Sequence, residues 1–466
     1  MANVILWNST DIPRYNSLKC PGRSLGAYQL ASWLRQHGYT VKVIDFCSII
    51  PVDDLVKITE KHIDDDTLTI GVSTTFWRSE GWTPIGNYSY VEPNWVISAR
   101  AHIENKFPKL KWTMGGARTY LYKQENWIKF YSHAEDDYLK WLDSMSAQTF
   151  KFRKNFDIRE SFNKFQEDDY IQPFEVLPIE LGRGCMFKCK FCAYDKIGKI
   201  PGTYTRNYEC IKEEILDHHS KWGTTKFYYI DDTVNESEEK VKALADIAQS
   251  MPFKLEWIGY LRADLIWSKP ETEKMLIDSG LKSAFFGIES FELNSSRLVG
   301  KGWSGKHAKE WLLEKRQKWD NDLTWQLGLI VGIPGQTIEQ LEEDTNWLID
   351  NDMHCWTFNY LWLEPGYYQS EFSKNSEKYG FVFTNKNFPW EWKHEYWDLK
   401  KAIVVTEELN KKSYDHLKMA AWQLGEHASL GYEFSELISI YQKDKNIDEI
   451  SEKITQFINN YINKNL

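Results

Sequence analysis

Two consecutive α/β domains, each built on a parallel sheet, and a mainly helical C-terminal segment are what the pattern of this 466-residue chain predicts. Short β-rich apolar runs alternate with amphipathic stretches of helical period, the signature of buried parallel strands covered by helices. The alternation comes in two blocks, separated by a stretch that keeps neither period for long. A composition of 42% hydrophobic and 27% charged residues supports packed cores and excludes a disordered or fibrous chain.

The first block reads NVILW (3–7), a helical pattern through Leu25–His37, TVKVIDF (40–46), LTIGVST (68–74), a helical stretch at Trp95–Phe107, KWTMGG (111–116) and a short run at Lys129–Ser132 before AEDDYLKWL. It predicts a doubly wound, Rossmann-like domain over residues 1–145. Residues 146–173 mix both charges and form a connecting arm. The second block has six apolar runs, FEVLPIEL (174–181), KFYYI (226–230), LEWIGYL (255–261), SAFFGI (283–288), WQLGLIVG (325–332) and WTFNYLWL (356–363). Helical patterns near 207–222, 236–250, 269–280, 304–320 and 336–351 lie between them. A partial (β/α)6 barrel over 174–365 follows, with function expected at the carboxyl ends of its strands. Residues 366–466 turn helical and rich in Trp, Lys and Glu, as a C-terminal cap would. Its last stretch, 444–466, reads as an amphipathic surface helix.

Fifty-seven Lys and Arg against 67 Asp and Glu give 57 − 67 = −10, and no basic patch offsets this, so a nonspecific grip on nucleic acid is not expected. No apolar run approaches the roughly 18–20 residues of a membrane span, and the opening MANVILWNST lacks the basic flank of a signal peptide. A cytoplasmic location without membrane contact is the expectation.

Three of the seven cysteines crowd into LGRGCMFKCKFCAYD, where Cys185, Cys189 and Cys192 have CxxxCxxC spacing directly after a strand. Three thiolates from one loop suit three corners of a [4Fe–4S] cluster and leave the fourth iron open. The alternative is zinc. Structural zinc takes four ligands, usually as two pairs, and no second pair follows; His218 and His219 lie in a helical pattern where neighbours point apart. Cys20, Cys47, Cys210 and Cys355 are read as small hydrophobes.

The cysteine loop, with Phe191 at its aromatic position, resembles that of the radical S-adenosylmethionine (SAM) superfamily, and the resemblance extends over roughly residues 174–365. It implies that SAM chelates the open iron and that an electron from the cluster breaks its sulfonium bond to give a 5′-deoxyadenosyl radical, inside an enclosure that excludes water. By the same resemblance YTRN (204–207) makes Arg206 a candidate carboxylate or phosphate contact, the alternative being a surface Arg at a helix start. DDTVN (231–235) places an acid near the SAM ammonium, Asp231 first and Asp232 second, with helix capping as the alternative. LRAD (261–264) offers Arg262, which pairs with Asp264 if the role is structural. GIES (287–290) offers Glu289 to the ribose hydroxyls. GLIVGIPGQT (328–337) is similar to the family's adenine loop, with Ile330 and Gly332 as candidate contacts; Gln336 replaces the usual acid there, which weakens any role for that side chain.

A doubly wound domain ahead of such a barrel resembles the cobalamin-binding subfamily. GVSTTF (71–76) and MGGAR (114–118) correspond to loops around the corrin, which makes Ser73, Gly115 and Gly116 candidate contacts. HAEDDYLKWL (133–142) is similar to a segment reading Gly-Glu-Gly-Glu in relatives, with Ala134 and Asp136 replacing glycines. The Asp-x-His-x-x-Gly motif that supplies a cobalt ligand is missing; Asp352 and His354 lie in the wrong domain and lack the glycine. Both a bound cobalamin and a retained scaffold stay open. Trp7, Trp77 and Trp82, and Trp362, Trp390, Trp392 and Trp397, could stack on a planar ligand or pack as core, and core is favoured. The resemblance implies a radical SAM enzyme: methyl transfer if cobalamin is present; rearrangement, oxidation or ring formation without it. A non-catalytic zinc protein is the other class. A small-molecule, nucleotide or peptide substrate and an electron donor such as flavodoxin or ferredoxin are the partners implied.

Overall fold

The computed structural model describes residues 2–10, 20–74, 77, 92–116, 119–122, 126–131, 133–145, 154–193, 204–319, 322–363, 368–384, 391–417, 424–437 and 447–466. The first domain contains β1 (Val4–Trp7), α1 (Leu25–Gln36), β2 (Val41–Ile44), α2 (Val52–Lys61), β3 (Thr69–Ser73), α3 (Asn94–Lys106), β4 (Lys111–Gly116), β5 (Ile128–Tyr131) and α4 (Glu135–Met145). Its sheet has the order β2-β1-β3-β4-β5 with every neighbour parallel. Every residue of β1 and β2 is buried, because helices cover both faces; that is why these runs are continuous and not alternating. Helix α2 lies where the pattern had suggested no element; it buries Leu55, Val56, Ile58 and Thr59 on one side.

Trp7, Trp95, Trp112, Trp127, Trp77 and Tyr122 meet edge to face or tilted in the core of the first domain, with centroids 5.0–6.0 Å apart. Trp7 and Trp77 are therefore packing residues. Trp82 and Trp390 lie outside the described residues.

The second domain contains β6 (Leu177–Ile179), α5 (Tyr208–Trp222), β7 (Lys226–Tyr229), α6 (Glu238–Ser250), β8 (Glu256–Leu261), α7 (Ala263–Ser268), α8 (Glu271–Asp278), β9 (Leu281–Glu289), α9 (Leu293–Val299), α10 (Gly305–Trp319), β10 (Thr324–Val331), α11 (Ile338–Asp350) and β11 (Trp356–Tyr360). The six strands are parallel in the order β11-β10-β9-β8-β7-β6, so β6 and β11 are edges and the barrel is open. Pro270 splits the helical stretch after β8 into α7 and α8, since its ring removes a donor and restricts the residue before it.

The C-terminal region holds α12 (Glu371–Lys374), a hairpin of β12 (Val382–Phe383) with β13 (Trp392–Lys393), α13 (Leu399–Leu417), α14 (Leu424–Ala428) and α15 (Ile447–Asn465). Helix α13 covers the β11 edge: Asn410 accepts from the Phe358 amide at 2.8 Å and donates to the Phe358 carbonyl at 2.8 Å. Helix α15 does not cap the barrel. Ile450, Ile454, Ile458, Tyr461 and Ile462 join the core of the first domain, and the Asp45 amide donates to the Tyr461 hydroxyl at 2.9 Å. No helix among the described residues is long and apolar enough to cross a membrane.

Candidate functional site

The cysteine loop is held from three sides. After β6 the chain pairs briefly with 204–206: the Arg183 amide donates to the Tyr204 carbonyl and the Arg206 amide to the Leu181 carbonyl, both at 2.8 Å. A Cβ on Gly182 would sit 2.8 Å from the Tyr204 oxygen, so this approach needs glycine. The Cys192 amide closes a turn on the Cys189 carbonyl at 3.0 Å, the Lys190 amide reaches the Val299 carbonyl at 3.3 Å, and the Phe372 amide reaches the Lys190 carbonyl at 2.9 Å. Cys185, Cys189 and Cys192 are half-buried and outside any disulfide, and Phe191 is half-buried against the barrel core. Cys185 Sγ lies 3.5 Å from Thr233 Oγ1, and Cys189 Sγ lies 3.4 Å from Arg262 Nη1. Burial pushes the Cys185 thiol up.

The two acids after β7 have opposite surroundings. Asp231 accepts from the Leu181 amide at 2.6 Å and from Lys240 Nζ at 2.8 Å, with both partners buried. Asp231, the first choice for an open carboxylate, is a tie between β6 and α6. Asp232 keeps accessible surface inside a crowded recess, where burial and the carboxylates of Asp231 and Glu180 push its pKa up to about 7. Its charge also acts on Cys185, which places it beside the cysteine loop. Glu180, which the sequence reading passed over within a strand run, is buried, donor-bonded by Arg183 Nε at 3.0 Å through one oxygen, and has no hydrogen-bond partner for the other. Burial raises its pKa.

Arg206 does not face an open site. Its guanidinium is fully buried and donates to the Glu180 carbonyl at 2.7 Å, the Ser161 carbonyl at 2.6 Å and Glu214 Oε2 at 2.7 Å. It ties the connecting arm to α5, so the expected ligand contact is corrected to a structural one. Arg262 grips Asp264 through Nε at 3.0 Å and Nη2 at 2.6 Å, and its remaining nitrogen meets Cys189. Glu289 ends β9 at φ 66°, a left-handed conformation costly for a residue with a side chain, and lies 3.2 Å from Lys301.

Gly332, at φ 98°, turns the chain after β10; a Cβ there would come within 2.8 Å of the Trp392 ring. Ile330 is buried and its carbonyl is engaged, so its side chain is not open to a ligand. The group that organises this loop is Gln336. Its Oε1 accepts from the Gly332 amide at 3.1 Å and the Ile333 amide at 2.9 Å, while Nε2 donates to the Ile330 carbonyl at 2.8 Å and Ser290 Oγ at 3.1 Å. A carboxylate could not donate, which explains the amide where an acid is usual. Trp392 and Trp397 donate to the Leu361 and Gln336 carbonyls at 3.0 and 2.8 Å and pack as core, and Trp362 is partly buried against it.

Ser73, Gly115 and Gly116 end β3 and β4. The Thr74 amide and hydroxyl both donate to the Gly115 carbonyl, at 2.8 and 3.0 Å. A Cβ on Gly115 would meet nothing nearer than the Phe130 oxygen at 3.7 Å, so that face is open; one on Gly71 would meet Leu6 and Thr113 at 2.9 Å, so Gly71 serves packing. Thr75, Phe76, Ala117 and Arg118 lie outside the described residues. The carboxyl ends of the two sheets face each other: Arg183, before the cysteine loop, pairs with Glu135 at the start of α4 at 2.5 Å, and the rings of Tyr120, after β4, and Tyr368, after β11, lie 6.1 Å apart. His133 stands at the same junction, with accessible surface; burial and the Arg183 charge push its pKa down to about 4. Asp136 accepts from the Phe156 amide, so Glu135 ties the start of α4 to the barrel segment and Asp136 ties it to the connecting arm.

Residues 179–348 match the sequence model of the radical SAM superfamily, so the second domain is a radical SAM domain. No curated protein matches the chain by sequence. Among solved structures, the chain is similar to the radical SAM methyltransferase TsrM from Kitasatospora setae, solved with cobalamin and a [4Fe-4S] cluster bound: TM-score 0.62, 13% identity, 98% of this chain and 100% of that one. It is also similar to the cobalamin-dependent SAM radical enzyme OxsB, solved with aqua-cobalamin and SAM: TM-score 0.57, 13% identity, 100% of this chain and 79% of that one. At this identity the likeness is one of fold.

A radical SAM domain implies a [4Fe–4S] cluster and SAM, and the residues present fit both. Cys185, Cys189 and Cys192 lie on one loop as half-buried thiols, and a cubane takes one thiolate on each of three irons. The unpartnered Glu180 oxygen and the accessible Asp232 carboxylate lie beside the cysteine loop, where a sulfonium and an ammonium would complement them.

Proposed function

We propose that this radical SAM enzyme is a cobalamin-dependent methyltransferase acting on an unactivated carbon. The observation that carries the reading is the opposition of the two sheets' carboxyl ends, joined by Arg183–Glu135 directly ahead of Cys185. Ligands of open α/β sheets bind at those ends, so a ligand of the first domain and one of the barrel would share one enclosure. Ser73, Gly115 and Gly116 are the residues that would hold a corrin, with Gly115 leaving its face clear. Cobalamin bound there supplies a methyl carrier, and SAM at the cluster supplies the radical. The chain's own residues hold and shield: Cys185, Cys189 and Cys192 bind the cluster, Asp232 and Glu289 address the polar groups of SAM, and Gln336 fixes the loop after β10.

Protein produced with cobalamin supplied and reconstituted anaerobically tests the reading by absorbance and mass spectrometry. Near one cobalamin per chain, with iron and sulfide, is expected, followed by transfer of the labelled methyl group from methyl-deuterated SAM to an acceptor. Cluster without cobalamin would overturn methyl transfer and leave rearrangement, oxidation or ring formation. One zinc and no sulfide would overturn the enzyme reading entirely.

A further inference from the structure

Arg262 is oriented by four contacts. Nε and Nη2 form a two-point pair with Asp264, Nη2 also reaches the Gly300 carbonyl at 3.4 Å, and the guanidinium lies 4.3 Å from the centroid of the Phe187 ring, within the cysteine loop itself. That leaves Nη1 directed at Cys189 Sγ at 3.4 Å. Asp264 is fixed in turn by the Gly302 amide at 3.1 Å. The Thr233 hydroxyl beside Cys185 is differently placed, since it donates to the Asp232 carbonyl at 2.7 Å. A charged donor is thus locked onto one named sulfur.

Resting on the reading of the cysteine loop as a cluster site, we propose that Arg262 is a positioning residue that raises the reduction potential of the cluster through Cys189. One added electron increases the negative charge shared by the sulfurs. A fixed cation donating to one of them stabilises the reduced form more than the oxidised form. Asp264 holds the guanidinium in place and also tempers its charge, so the two residues have opposite effects on the potential.

EPR-monitored titration with dithionite as the one-electron reductant reads this directly, on the full chain with cluster and without substrate. Arg262→Gln is expected to make reduction about tenfold less favourable, a downward shift of ~59 mV for one electron. Arg262→Lys should fall between, and Asp264→Asn should shift the potential upward. A purely structural role would not give opposite signs. Wild-type potentials in Arg262→Gln and Asp264→Asn, with full iron and sulfide, overturn the proposal and leave the cluster reading standing. If Arg262→Gln loses iron, Arg262→Lys and Asp264→Asn decide, and a potential unmoved or lowered in the latter overturns it. Wild-type protein without iron and sulfide overturns the underlying reading instead.

Discussion

Lys240 and the Leu181 amide occupy both oxygens of Asp231, whereas Asp232 keeps its carboxylate accessible beside Cys185. Asp231→Asn should therefore cost about 3 kcal/mol of stability, because it leaves a buried Lys240 with Glu236 as its remaining carboxylate. Asp232→Asn should not destabilise the fold and should stabilise it modestly as pH rises above the ordinary carboxylate range, since the folded pKa is raised; it should weaken SAM binding roughly tenfold or more, the loss of a hydrogen bond to a charged group. Urea unfolding and equilibrium SAM binding to reconstituted protein separate the two; the reverse pattern would restore Asp231 as the ligand. The sequence located this pair at a strand end but could not tell which member faces inward, because the strand ends at Tyr229 and the alternation stops with it. Gln336 was discounted for the same kind of reason: a departure from a familiar acid reads as loss until its four partners are seen.

At the scale of elements, the strands and most helices were legible because burial imposes a run or a period on them, α2 being the exception. Destinations were not. An amphipathic face announces that α15 buries one side, and nothing in its pattern says that the partner is the first domain and not the barrel. Edge protection is similar, since Asn410 looks like an ordinary polar residue of a long helix. It mimics a neighbouring strand for Phe358, satisfying an amide and a carbonyl that an open barrel leaves unpaired. Asn410→Ala should cost roughly 1–3 kcal/mol for each buried group left without a partner. Urea unfolding would show it, together with faster hydrogen exchange at the Phe358 amide; unchanged exchange would mean that this amide is protected by something other than Asn410.

For the whole molecule, the seam between the domains is ionic and buried. Arg23 pairs with Asp45 of the first domain and, at 2.6 Å, with Glu175 of the barrel segment; Tyr28 also donates to Asp45, whose amide meets Tyr461 of α15. Asp169 of the connecting arm completes this seam. Its carboxylate is wholly buried, with one oxygen accepting from the Gln166 amide and the other unpartnered. Burial, reinforced by the charge of Asp45 and opposed by Arg35 and Lys42, pushes its pKa up to about 7. A folded pKa raised above the ordinary 3.8 means that the fold prefers the protonated acid. The contribution of Asp169 is fully present below pH 3.8 and is lost as pH rises through 7, where burying the charge costs on the order of 2–4 kcal/mol. Asp169→Asn keeps the acceptor for Gln166 and removes that charge. The variant should match the parent near pH 4, gain stability progressively above it, and exceed the parent by that amount at pH 8. Equilibrium unfolding at several pH values tests this, and a difference that did not vary with pH would mean that Asp169 is ionised in the fold, with Arg35 and Lys42 as the stronger influence.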